Sequence, residues 1–140
     1  MSTHSLQNNL YWQLLRVAIS AKHDLMNIAE KHQLTFMQMY TLCLLESDIS
    51  HPMHTLSSMI NCDASNITGI VDKLFQQKYI NREENPHDRR TKMITLTPKG
   101  KALCEKIASE MTSHQPLTLQ NLSDTQKKQL LVLLNKIVID

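Results

Sequence analysis

Between Asn85 and Lys101 five basic side chains, Arg89, Arg90, Lys92, Lys99 and Lys101, stand against a single acidic one, Asp88. A local excess of this kind can neutralise a polyanion's backbone, and it is hidden in the total. The formal charge of the chain is only +2, because the remaining residues carry ten basic and twelve acidic groups. Three cysteines, Cys43, Cys62 and Cys104, are odd in number, widely spaced and without a C-x-x-C pair, which fits a reducing compartment better than a disulfide framework. A redox role needs an exposed thiol of lowered pKa, whereas free cysteine is usually a small buried hydrophobe. Among seven histidines, His51 and His54 are three residues apart with no further ligand nearby, and His114 has no partner one turn away, so no metal site is expected. The chain has two glycines, Gly69 and Gly100, neither in a phosphate-cradling or nucleophile-elbow setting. Nucleotide-dependent chemistry is excluded on that ground, an enzyme is not expected, and no cofactor is called for.

The elements that must position these groups come from a chain of 140 residues, 41% of them hydrophobic, enough for about one domain. The longest aliphatic run, Leu130–Leu134, is far short of the roughly 20 residues that cross a bilayer, and the polar start lacks a signal-peptide pattern. A cytoplasmic location without membrane contact is the expectation. Leu6, Leu10, Leu14, Val17, Ala21, Leu25 and Ile28 repeat at helical spacing and predict one long helix over about 6–32. Its apolar stripe is longer than a small domain can cover, as in helices that pack on another subunit. Thr35-x-x-Gln38 is a capping box flanked by Leu34 and Met39 as a hydrophobic staple, and Phe36, Tyr40, Cys43 and Leu44 define the inward side of the helix it opens. After the connector Asp48–Pro52, a short helix from Met53 to Ile60 turns inward Leu56, Met59 and Ile60. Asn61-Cys62-Asp63 follows as a tight turn with Asp63 as N-cap, then a helix over 64–78 with Ile67, Ile70, Val71 and Leu74 inside. Two helices joined by a three-residue turn make a helix-turn-helix.

Tyr79–Glu84 and Thr91–Leu96 then read as strands with Asn85–Arg90 as the loop, a hairpin with a charged tip. Thr97-Pro98 supplies an N-cap and an N1 proline to a helix with Leu103, Ile107 and Met111, limited by Pro116. Ser123-x-x-Gln126 caps a last helix carrying Leu130, Leu133, Leu134, Ile137 and Val138. The expected fold is mainly α with a small β-hairpin wing. It forms one domain over 1–140, with a winged helix-turn-helix over about 35–97 between helices at about 6–32 and 98–138. A winged helix places its second helix in the major groove and its hairpin against phosphates or the minor groove.

The run from Leu56 to Leu74, the segment Ile80-Asn81-Arg82, the tripeptide Asp88-Arg89-Arg90 and the motif Leu96-Thr-Pro-Lys-Gly100 together resemble the MarR family of bacterial winged-helix regulators. The resemblance implies a homodimer interlocked by its first and last helices, bound to a pseudo-palindromic operator in double-stranded DNA. It implies a transcriptional regulator, a repressor relieved by a small aromatic or amphipathic ligand. Recognition-helix contacts would come from Ser65, Asn66, Thr68, Gly69 and Lys73. In the wing, Arg90 would enter the minor groove, Asp88 would orient it and Arg89 would meet a phosphate. Gly69 stands where arginine or another larger residue is frequent in the family. Lys78 stands where glycine usually ends the helix, so either the cap differs or a left-handed residue is accepted. The effector site is expected between dimerisation helices and DNA-binding lobe, with Trp12, Arg16 and Tyr40 as ligand-binding candidates. Competing expectations are a thiol-redox or metal-responsive regulator on the same fold, and a winged helix used for protein contacts.

Overall fold

The computed structural model describes residues 3–60, 64–113 and 119–137. Its elements are α1 (Thr3–Gln7), α2 (Leu10–Lys31), α3 (Phe36–Leu44), β1 (His51–Pro52), α4 (Met53–Met59), α5 (Ala64–Gln76), β2 (Ile80–Asn85), β3 (Asp88–Leu96), α6 (Pro98–Ser113) and α7 (Asp124–Ile137). No described helix is long and apolar enough to cross a membrane. The turn Asn61-Cys62-Asp63 with its proposed cap, Pro116 and Val138 lie outside the described residues.

Local capping chemistry decides where the helices start. The expected helix over 6–32 is in fact two, because Asn9 adopts an extended conformation and its side chain accepts a hydrogen bond from the Trp12 N–H, restarting the helix at Leu10. The Thr35 capping box forms as expected: the Thr35 N–H donates to Gln38 Oε1 at 3.0 Å, and the Gln38 N–H to Thr35 Oγ1 at 3.2 Å. Ser123 and Gln126 repeat the arrangement ahead of α7. Thr97 Oγ1 accepts from the Gly100 N–H at 3.0 Å, while its hydroxyl donates to the Lys78 carbonyl at 2.6 Å, tying the start of α6 to the residues that end α5.

The inward side of α3 differs from the expectation. Met39, Thr41 and Leu42 are buried and Phe36 and Leu44 are partly covered, whereas Tyr40 and Cys43 are exposed. Nine residues that are apolar nearly all round do not define a face by spacing, so tertiary contacts set the rotation. The core runs through the helix-turn-helix and wing: Leu42, Leu56, Val71, Leu74, Ile94 and Ile107 are fully buried. Only Ile28 and Ala29 of α2 are buried, and no residue of α7 is.

The wing is a three-stranded antiparallel sheet in the order β1-β3-β2, not a hairpin alone. His51 and Pro52 pair with Ile94 and Met93, a strand too short for periodicity to reveal. The expected loop Asn85–Arg90 is also shorter. Asn85 pairs with Asp88 beside a register irregularity, leaving Pro86 and His87 at the turn, and Asn85 Oδ1 accepts from the His87 N–H at 3.0 Å.

Candidate nucleic-acid interface

Helix α5 is held by Ile67, Val71 and Leu74, which are all but fully buried. Its other face points outward, with Asn66, Thr68, Gly69 and Lys73 exposed. Ser65 lies in the first turn of the helix, and its side chain is outside the described residues. A Cβ built on Gly69 meets nothing within 4 Å, and the backbone there is ordinary helix, so neither space nor conformation requires glycine. At the C-terminus Lys78 takes φ 63°, with the Tyr79 N–H donating to the Leu74 carbonyl and the Lys78 N–H to that of Phe75. This is a Schellman ending with lysine at the position that favours glycine, so the left-handed alternative is the one adopted. The motif delivers the chain directly into β2.

The hairpin is braced to α5 through Arg82. Its guanidinium bonds Asp72 Oδ1 at 2.5 Å and stacks 4.2 Å from the centroid of the Phe75 ring. Sequence reasoning passed over this contact, which joins β2 to α5; an arginine near the start of a strand, ten residues after an acidic helix position, is its faint signal.

Asp88 bonds the main chain of the wing. Its Oδ1 accepts from the backbone N–H of Arg90 at 3.0 Å and its Oδ2 from the Thr91 hydroxyl at 3.3 Å, so the carboxylate fixes the main chain beneath Arg90 rather than the guanidinium. The charge excess read over 85–101 also contracts in three dimensions. Lys92 pairs with Glu84 across the hairpin at 3.4 Å, just outside that window. Lys99 donates to the Gln77 carbonyl at 2.9 Å and sits over the Tyr79 ring, where it balances the negative end of α5. Arg89 and Arg90 remain exposed at the hairpin end, with no carboxylate at ion-pair distance among the described residues. Arg90, Thr91 and Lys92 then form one wall of a groove of about 520 Å³, whose other walls include Thr68 of α5 and His54 and Ser57 of α4. A polyanion lying along this groove would meet the wing and the outward face of α5 together.

The three ligand candidates do not converge. Tyr40 stacks on Phe36, with ring centroids 6.0 Å apart and planes within 8°, and Lys22 of α2 lies 5.2 Å from the Phe36 centroid. Arg16 and Trp12 sit roughly 9 and 15 Å closer to the start of α2 than Lys22, by the rise per helical residue. Their described hydrogen bonds are local, from Arg16 to Gln13 Oε1 and from the Trp12 N–H to Asn9. Lys22 and Phe36 are the neighbours of Tyr40 that sequence reasoning did not single out, and a basic residue one helix away from an aromatic pair leaves no mark in spacing. Among the described residues no group of three or more histidine, cysteine or acidic side chains could hold a metal ion.

With this geometry in place, the family model of the MarR family matches residues 34–92, the span from the start of α3 into β3. The Multiple antibiotic resistance protein MarR of Salmonella typhimurium is 30% identical over 124 residues, covering 86% of this chain and 85% of that protein. The crystal structure of wild-type MarR from E. coli in its apo form superposes with a TM-score of 0.83 at 22% identity, covering 94% of this chain and 97% of that one. The transcriptional repressor CouR, bound to a 23-mer DNA duplex, gives 0.80 at 23% identity and covers 98% and 97%.

Proposed function

The chain belongs to the MarR family of transcriptional regulators, and from that premise we propose that it is a repressor that binds a pseudo-palindromic operator in double-stranded DNA as a homodimer. The observation that carries this reading is the groove lined by both Thr68 of α5 and Arg90 of β3, with no carboxylate at ion-pair distance from Arg89 or Arg90 among the described residues. Asn66, Thr68 and Lys73 present hydroxyl, amide and ammonium groups to base edges and phosphates. Arg90 enters the narrow minor groove from a backbone already fixed by Asp88, so less conformational freedom is lost on insertion. The protein acts on DNA in the cytoplasm and catalyses no reaction. A small aromatic or amphipathic acid relieves repression, held by the ring face of Tyr40 and Phe36 and the ammonium of Lys22.

The test is binding to duplexes that the wild-type protein selects from a random library, measured across a range of salt. Arg90→Ala should weaken binding about tenfold or more and lower the slope of log affinity against log salt by about one. Unchanged affinity and slope in the Arg89→Ala/Arg90→Ala double variant would overturn the assignment.

A further inference from the structure

Gly69 stands in the interior of α5, and nothing within the fold asks for a glycine there. Glycine is less favourable than alanine inside a helix, and its use is to let a backbone approach something closely. The buried side chains of Ile67, Val71 and Leu74 define the inward line of α5, and by the helical repeat Gly69 lies almost opposite them, at the middle of the outward face. Asn66 and, about two turns on, Lys73 flank it on one side. Thr68, Asp72 and Phe75 lie towards the wing, where Thr68 shares a groove with Arg90 and the other two hold Arg82. The side chains around this gap are selective in kind. α5 carries no arginine, the usual reader of guanine, and its single acid, Asp72, which could otherwise accept from cytosine, is engaged by Arg82. Lys73 lies beyond the first turns, where an inserted helix has passed from base edges to phosphates. Of the described side chains in those first turns, the Asn66 amide can donate to adenine N7 while accepting from adenine N6, and the Thr68 methyl suits that of thymine.

We propose that Gly69 lets the backbone of α5 seat against the floor of the major groove, and that the helix thereby selects a half-site centred on A·T pairs, with adenine read by Asn66. A side chain at position 69 would hold the helix off the bases and lengthen the Asn66 contact. Its absence leaves room for the thymine methyl groups that project into that groove. The preference runs with that of the wing, since an arginine such as Arg90 favours the narrow minor groove of A·T-rich flanks. This inference rests on the DNA-binding reading above and adds to it the base composition of the operator.

The test selects duplexes from a randomised library with the wild-type protein, Gly69→Arg and Asn66→Ala. Because a Cβ at position 69 meets nothing within 4 Å, Gly69→Arg should fold as the wild type does, which thermal unfolding checks. The wild-type half-site should be A·T at its centre. Replacing its central adenine by 7-deazaadenine, which lacks the N7 acceptor, should weaken wild-type binding about tenfold and leave that of Asn66→Ala unchanged. Gly69→Arg should exchange a central A·T pair for G·C, preferring it about tenfold. Wild-type half-sites centred on G·C, 7-deazaadenine without effect on the wild type, or the A·T preference persisting in Gly69→Arg would each overturn the proposal and leave DNA binding itself standing. Absence of salt-dependent binding to every duplex would overturn both readings.

Discussion

A methyl group placed on Gly100 would sit 2.0 Å from the carbonyl oxygen of Tyr79, whereas one placed on Gly69 would meet nothing within 4 Å. Gly100→Ala must push α6 away from the strand that leads into the wing, and should cost about 3 kcal/mol in urea or thermal unfolding. Gly69→Ala relieves an exposed glycine in a helix interior and should stabilise the fold by about 1 kcal/mol. The same variant should shift base preference in a selection experiment, since position 69 lies on the outward face of α5. Lys78→Gly should stabilise by about 1 kcal/mol, because a left-handed backbone strains a side chain with a Cβ. Sequence alone marked both glycines and Lys78 as departures or landmarks. It did not say which glycine was sterically compelled, because that depends on a carbonyl oxygen twenty-one positions away.

The elements show where local signals suffice. The two capping boxes and the Thr97 cap were legible because every atom they need lies within three residues. The rotation of α3 and the strand β1 were not, since each is decided by what packs or pairs alongside. The Asn9 cap is as local as the others, but it falls inside an unbroken apolar repeat that masks it. The candidate site divided in the same way. Arg89 and Arg90 were legible, but the partners that withdraw Lys92, Lys99 and Arg82 from the positive surface come from other strands and from helix α5. Arg82 ties the hairpin to α5 through a half-exposed pair with Asp72 and the Phe75 ring. Arg82→Ala should cost only about 1 kcal/mol of stability, since solvent screens the ion pair and the ring contact supplies most of the loss. Its effect on DNA affinity should be larger, because the angle between wing and recognition helix loosens although no DNA-facing side chain has changed. Equal losses in folding and binding free energy would contradict this role.

At the scale of the molecule the apolar surface is unevenly shared. Leu10, Tyr11, Leu15 and Ile19 of α2 and Leu131, Val132, Leu133 and Ile137 of α7 are all at least half exposed in a single chain. A surface of that kind is the seat of a subunit contact. Leu133→Glu should convert the dimer to monomer in sedimentation and weaken operator binding about tenfold or more, because one recognition helix loses its tethered twin. The wild-type melting temperature should rise with protein concentration, as expected when folding and association are linked. In α2 the segment Leu10–Ser20 holds a single charged residue, Arg16. A pairing face so poor in charge has little with which to repel a related subunit, since discrimination between helical partners rests largely on unfavourable charge pairs in the wrong combination. On such a face, fidelity of self-pairing would rest more on the shapes of Leu10, Tyr11, Leu15 and Ile19 than on charge.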